Sequence, residues 1–122
     1  MKQNYSDKEK AQAGLTAFFS IAKEWRLTEE QEKTLLGSPD DAKFNEWKKS
    51  KQGALSGDSL IRLSYIIGIY KSLQTLFSNE LAIQWIHNEN TLIDNKPPLE
   101  YMLSGQIHAL SDIRHYLDNA EG

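Results

Sequence analysis

Apolar residues recur every three or four positions along most of the chain, which is the spacing of one helix face. The period-two alternation typical of strands is almost absent. In the stretch "LIRLSYIIGIYKSLQTLF", Leu60 to Phe77, apolar residues occupy several helix faces. Such a helix is central in its fold or buried in an oligomer. The pattern therefore predicts an all-α protein built around one long helix.

Polar residues mark where the helices are expected to begin. Ser6-Asp7-Lys8-Glu9 and Thr28-Glu29-Glu30-Gln31 have the spacing of capping boxes, in which side chains satisfy the free amides of the first turn. The other expected starts are Ser38 before Pro39, Asp58 or Ser59, Asn79, and Pro98, which opens "PLEYMLSG" ending at Gly105. The last helix is expected over "QIHALSDIRHYLDN", residues 106–119.

Composition limits the function classes. The 122 residues suit one compact domain or two small subdomains, and the absence of cysteine excludes disulfides, zinc–thiolate sites and thiol catalysis. The N-terminal sequence has no apolar region of a secretory signal, and no apolar run reaches the length of a membrane span. We therefore predict a cytoplasmic protein without membrane contact.

Charge is distributed unevenly along the chain. Residues 1–78 contain 12 Lys and Arg against 10 Asp and Glu, whereas residues 79–122 contain 2 against 7. A mildly basic region followed by an acidic one is compatible with two different partners, or with uneven surface charge that has no function.

The segment from Thr28 to Lys49 predicts two short helices joined by a turn with glycine, the layout of a DNA-binding helix-turn-helix. Leu35, Leu36, Phe44 and Trp47 would hold the helices together. The residues expected to face DNA are Lys43, Asn45, Lys48 and Lys49. Asp40 and Asp41 would repel phosphates at the start of the second helix, so ordinary helix packing remains an alternative.

Signals of an enzyme are weak. His108, Asp112 and His115 share one helix face, but nothing else in the sequence completes a metal site. There is no glycine-rich phosphate loop and no nucleophile motif. We therefore predict a protein that is not an enzyme and that uses no cofactor and no metal.

The order of several motifs resembles the antitoxins of the Xre/MbcA/ParS type, which are partners of RES-domain toxins. The matching stretches are "EWRLTEEQEKTLLGSP", "EWKK", "LSGDSLIRLSYIIGIYKSLQTLF", "AIQWIHNEN", "PPLEYMLSG" and "IRHYLDNAEG". The resemblance implies a tryptophan helix, an Asn-containing loop and a Pro-Leu helix that bind the toxin. It also implies that the C-terminal end lies at the mouth of the toxin's active site, where NAD⁺ is consumed or ADP-ribose is transferred.

Carried onto this chain, the resemblance implies a toxin-binding set of Trp85, Asn88, Asn90, Pro98, Leu99, Tyr101, Met102, Tyr116, Leu117, Glu121 and Gly122. Within this set, Trp85 and Leu99 are expected in the core, where they would shape the surface. Asn88, Asn90 and Tyr101 are expected to touch the partner, because they are polar or amphipathic.

Together these observations predict a helix-turn-helix-like N-terminal half, residues 1–78 with the long central helix, and a small helical toxin-binding half, residues 79–122. The leading hypothesis is an antitoxin that occludes the active site of a cognate RES-type toxin and binds operator DNA. It would be a homodimer or a toxin–antitoxin hetero-oligomer. The alternatives are a helix-turn-helix DNA-binding regulator without a toxin partner, and a helical adaptor that binds neither.

Overall fold

The computed structural model describes residues 7–121, with Asp7 described by its backbone alone. In this range the chain forms α1 (Asp7–Glu24), α2 (Glu29–Leu35), α3 (Asp41–Ser50), α4 (Gly57–Leu76), α5 (Asn79–His87), α6 (Pro98–Met102) and α7 (Ile107–Glu121). A single 3-10 turn, Thr91–Ile93, lies between α5 and α6. Residues 7–121 contain no strand, only one isolated bridge between Asn90 and Lys96. The predicted all-α fold is confirmed.

Helix α4 is the centre of the fold. It packs against α1 on one side and α7 on the other, and Leu63, Ile66, Ile69 and Leu73 are buried between them. This confirms the central position that its many-sided apolar pattern predicts. None of the helices within the described part combines the length and the apolar character needed to cross a lipid bilayer.

Helices α2 and α3 pack through the apolar residues expected from the sequence. Leu35, Leu36, Phe44 and Trp47 are all buried. They belong to one cluster that continues through α1 and α4 to Ile86, Leu99 and Leu117. The hydrophobic core is therefore continuous from α1 to α7.

The start of α3 differs from the sequence prediction. Ser38 is not its N-cap: Gly37 and Ser38 both have positive φ, and their amides donate to the carbonyls of Thr34 and Lys33. This is a Schellman ending of α2, in which the αL residue lets the last carbonyls be satisfied. Asp40 instead caps α3 by accepting a hydrogen bond from the Lys43 amide at 2.8 Å.

The start of α4 also lies earlier than predicted. Ser56 is the N-cap and accepts from the Ser59 amide, so neither Asp58 nor Ser59 fills that position. Both residues have other partners, one within α4 itself and one at the end of α2. Asp58 accepts from Arg62 at 2.8 Å, and the Ser59 hydroxyl donates to the Leu36 carbonyl at 2.9 Å.

The remaining predicted boundaries have mixed outcomes. The box at Thr28 is confirmed in both of its hydrogen bonds with Gln31. Asn79 and Pro98 begin their helices as expected, but α6 ends at Met102, before Gly105. The capping box predicted at Ser6 to Glu9 lies partly outside the described residues, because Ser6 precedes them.

Candidate functional site

Helices α5, α6 and α7 and the loop after α5 enclose a shallow groove of about 230 Å³. We call it the aromatic groove; its walls are Trp85, Asn90, Leu92, Ile93, Tyr101, Asp112, Ile113 and Tyr116. Sites for drug-sized ligands have volumes of roughly 300–1,000 Å³. The groove is therefore too small for a dinucleotide, but it has the size to receive a side chain of another protein.

Two aromatic rings form one wall of the groove. Trp85 of α5 and Tyr116 of α7 stack with their ring centroids 6.1 Å apart and their planes 12° from parallel. Trp85 is only partly buried and Tyr116 is 40% exposed. Trp85 packs against the core cluster, but it is only partly buried and its ring also lines a surface groove, so the expectation of a core residue is met only in part. Leu99, 4% exposed, does lie in the core as expected.

A phenol–carboxylate pair also lines the groove. The Tyr101 hydroxyl of α6 donates a hydrogen bond to Oδ2 of Asp112 on α7. This hydrogen bond raises the pKa of Tyr101 above its ordinary value, because the neutral phenol is the donor. The pair fixes the orientation of an exposed carboxylate at the edge of the groove.

Of the three residues that share a helix face in the sequence, Asp112 accepts a hydrogen bond from Tyr101 of α6. His115 directs Nδ1 to the Ser111 carbonyl oxygen at 2.8 Å. Over residues 7–121, no group of three His, Cys, Asp or Glu side chains has the arrangement of a metal site.

The loop after α5 has a defined shape that Asn90 maintains. Its side-chain Oδ1 accepts from the Leu92 amide at 2.9 Å, and its backbone amide donates to the Lys96 carbonyl at 3.0 Å. Asp94 and Asn95 have φ of 57° and 62°, which Asp and Asn tolerate better than most residues. Asn90 thus shapes the loop, in addition to lining the groove.

Leu92 is a candidate contact residue that the sequence analysis missed. The loop holds it at the edge of the groove, where it is 65% exposed. The adjacent apolar residues Leu92 and Ile93 in an otherwise polar Asn-rich loop were the available signal, since such a loop has little core of its own to bury both.

The predicted toxin-binding residues fall into three groups. Pro98, Leu99, Met102 and Leu117 are buried below the surface. Trp85, Asn90, Tyr101 and Tyr116 line the groove. Asn88 and Glu121 are exposed outside it, and Gly122 lies beyond the described residues. The buried group can act only by supporting the surface that the second group presents.

The predicted DNA-facing residues of α3 divide in a similar way. Lys43, Asn45 and Lys49 are exposed. Lys48 instead turns towards α2, where its ammonium lies 2.8 Å from Glu32. Its hydrogen bond to Glu32 raises the pKa of Lys48, because the carboxylate stabilises the charged form. Three of the four residues are therefore available on the surface of α3.

Comparison of the sequence with known proteins identifies a family for the segment that carries the groove. Residues 72–122 match the model of the antitoxin Xre/MbcA/ParS C-terminal toxin-binding domain. A similar protein of Sinorhizobium fredii (strain NBRC 101917 / NGR234), the uncharacterised protein y4oB, is 41% identical over 118 residues, which is 96% of this chain and 91% of that protein. The chain belongs to the Xre/MbcA/ParS antitoxin family. The family implies a toxin as partner and indicates a binding role rather than catalysis.

The toxin-binding domain of this antitoxin contains the whole aromatic groove. The matched segment begins near the end of α4 and includes α5, the Asn-rich loop, α6 and α7. Its buried residues Leu110, Ile113 and Leu117 anchor α7 to the core. The exposed aromatic and aliphatic residues of the groove consequently lie on the part of the chain that the family uses to bind a toxin.

Proposed function

We propose that this antitoxin neutralises a RES-type toxin, which consumes NAD⁺ or transfers ADP-ribose, by covering the toxin's active site. The supporting observation is the exposed apolar character of the groove within the toxin-binding domain. Leu92 and Tyr116 are 65% and 40% exposed beside Trp85. Aromatic and aliphatic residues in such positions are typical anchors of protein interfaces.

The proposal assigns different roles to two parts of the domain. The groove binds the toxin, and the end of α7 with the tail covers the active site. Leu117 is buried, whereas Asn119, Ala120 and Glu121 are exposed. The end of α7 is thus anchored by its buried face and projects its last described turn into solvent.

We propose that the two parts of the chain on either side of residue 78 have different functions. Residues 1–78 would serve DNA binding and residues 79–122 toxin binding. The core continues across this position, because α4 packs on both α1 and α7. Point substitutions on the surface therefore test the proposal better than deletion of one half, which would uncover the buried faces of α4.

The test of toxin binding uses the cognate RES-type toxin, with NAD⁺ consumption as the readout. The double variant Leu92→Ser/Tyr116→Ala removes exposed groove side chains and is expected to weaken inhibition at least about tenfold, as for interface anchors. Leu81→Ser is the matched control, since Leu81 is apolar, 52% exposed and outside the groove. Equal inhibition by the double variant and the control would refute the groove as the binding surface.

Occlusion is tested separately from binding. A chain ending at Asp118 lacks the exposed end of α7 and the tail but retains the groove. We expect it to bind the toxin with an affinity within about threefold of the full chain and to inhibit NAD⁺ consumption poorly. Full inhibition by the shortened chain would contradict occlusion by the tail, and a parallel loss of binding would show that the tail is an anchor instead.

DNA binding is a second proposed activity, supported by the exposure of Lys43, Asn45 and Lys49 on one helix. A homodimer would present two copies of α3 to one duplex, as helix-turn-helix proteins do. The test is fluorescence anisotropy with the duplex upstream of the antitoxin gene. Lys43→Glu/Lys49→Glu is expected to abolish binding; retained affinity would exclude these two lysines as the DNA contact. Binding of DNA without any toxin inhibition would favour a regulator over an antitoxin.

A further inference from the structure

We propose that the aromatic groove receives an arginine side chain of the toxin. This inference rests on the proposed toxin binding and names the chemistry of the group that enters the groove. It is carried by three features: a stacked aromatic pair that lines the groove, an oriented carboxylate with an unused oxygen, and the negative charge of this half of the chain.

The aromatic wall suits a planar cation. Trp85 and Tyr116 lie 12° from parallel and both line the groove. A guanidinium group stacks on aromatic faces through cation–π attraction, and it is more weakly hydrated than an ammonium group. The groove, at about 230 Å³, has room for a side chain but not for a large ligand.

Asp112 supplies the acceptor at the edge of the same groove. Its Oδ2 accepts from Tyr101, whereas its Oδ1 has no hydrogen-bond or ion-pair partner within residues 7–121. A carboxylate has lone pairs for several hydrogen bonds, and the forked donors of arginine match that geometry. Tyr101 therefore acts as a positioning residue, because its hydroxyl holds the carboxylate in place without using its full acceptor capacity.

The net charge of the half of the chain that carries the groove favours a basic partner. Residues 79–122 contain seven Asp and Glu and only two cations, Lys96 and Arg114. Arg114 is already paired with Asp118 at 3.0 Å and lies against Gly68 of α4, outside the groove. An excess of negative charge steers a cationic partner towards the surface and raises its rate of association.

The first experiment titrates the ¹⁵N-labelled full chain with N-acetyl-arginine amide and, separately, with N-acetyl-citrulline amide. Citrulline has the same shape but no charge. Arginine is expected to shift the Trp85 indole resonance, with an affinity at least about fivefold higher than that of citrulline because the hydrogen bond is charge-assisted. The variant Asp112→Asn should lose this preference. Equal shifts with both probes, or no shift at Trp85, would overturn the inference.

The second experiment measures toxin affinity for Asp112→Asn and for Glu100→Gln. Glu100 is an exposed carboxylate of the same half that does not line the groove, so it controls for overall charge. We expect Asp112→Asn to weaken binding at least about tenfold, and Glu100→Gln less than about threefold. Equal small effects would overturn the inference, provided that circular dichroism shows the same melting temperature for both variants.

The outcomes separate this inference from the proposed function. If the wild-type antitoxin does not bind the toxin, the proposed function fails, and the probe titration still reports whether the groove selects arginine. If binding and neutralisation persist in Asp112→Asn, the arginine is excluded and the antitoxin role is unaffected. If the wild type self-associates in sedimentation and Asp112→Asn is monomeric, the arginine comes from a second copy, which overturns its assignment to the toxin.

Discussion

Lys48 of α3 donates a hydrogen bond to the carboxylate of Glu32 on α2 over 2.8 Å, and Glu32 is only 6% exposed. The same ammonium group lies 3.6 Å from Glu29 and 5.7 Å from the centre of the Phe44 ring. A buried carboxylate needs such a partner, because burial of an unpaired charge is costly. Lys48 therefore stabilises the helix pair, while its sequence neighbour Lys49 is exposed.

Substitution of these two lysines should change the free energy of unfolding by different amounts. Lys48→Met leaves Glu32 without its partner and is expected to lower the free energy of unfolding by about 1–2 kcal/mol, after allowance for solvent screening of a partly exposed lysine. Lys49→Met should change it by less than about 0.5 kcal/mol. Urea unfolding followed by circular dichroism measures both. A larger loss at Lys49 would show that the pairing of α2 and α3 is misassigned.

His87 joins the end of α5 to the end of α1. Its Nε2 lies 2.8 Å from the Trp25 carbonyl oxygen, to which the protonated nitrogen donates. His87→Ala should therefore lower the free energy of unfolding by about 0.5–1.5 kcal/mol, the usual net value of one hydrogen bond. His108→Ala is the control, because His108 is exposed and has no hydrogen-bond partner within residues 7–121. Equal unfolding midpoints for the two variants would contradict this role.

Tyr70 is expected to make stability depend on alkaline pH. Its hydroxyl donates to Glu24 at 2.6 Å, and this hydrogen bond raises the pKa of Tyr70 from 10.0 to about 12. The unfolded chain loses the proton first. The stabilisation is therefore complete below pH 10.0 and is lost as the pH rises through about 12.

The measurement is urea unfolding of the wild type and Tyr70→Phe at several pH values between 8 and 12. The stability advantage of the wild type should shrink over the upper part of that range. Tyr65→Phe serves as a control on the same helix, since the Tyr65 hydroxyl has no hydrogen-bond partner in the described part of the chain. An advantage that stays constant up to pH 12 would refute the role of the Glu24 contact.

Arg62 connects α4 to the turn between α6 and α7. Its Nη2 donates to the Gly105 carbonyl at 2.7 Å, and its Nε donates to Asp58. Arg62→Met should lower the free energy of unfolding by about 1–3 kcal/mol, because Gly105 loses a charged donor. Arg62→Lys should recover only part of the loss, since an ammonium group lacks the fork that serves both acceptors.

The control for Arg62 is Lys71→Met, an exposed cation on the same helix. It should stay within about 0.5 kcal/mol of the wild type. Thermal unfolding of all three variants ranks them directly. If Arg62→Met were as stable as Lys71→Met, the hydrogen bond to Gly105 would make no net contribution to stability. The cost of burying Nη1, which has no partner within residues 7–121, would then cancel the gain from that hydrogen bond.

Local patterns in the sequence were sufficient for the fold class and for much of its core. Helix periodicity predicted the central α4 and the buried pairs Leu35–Leu36 and Phe44–Trp47, and the box at Thr28 formed as expected. These signals are local, because capping and amphipathic spacing act within one or two helix turns. The resemblance of the motifs to the Xre/MbcA/ParS antitoxins is a separate signal, and the family match at residues 72–122 confirms it.

Only the tertiary structure decided how individual polar and aromatic residues are used. The Ser59 hydroxyl donates to the Leu36 carbonyl instead of capping α4, and Lys48 is held by a buried acid on another helix. Trp85 lines a groove because it stacks on Tyr116, which follows far along the chain. These outcomes depend on partners that packing brings together. When a side chain has several possible partners, the local sequence does not indicate which one it will contact.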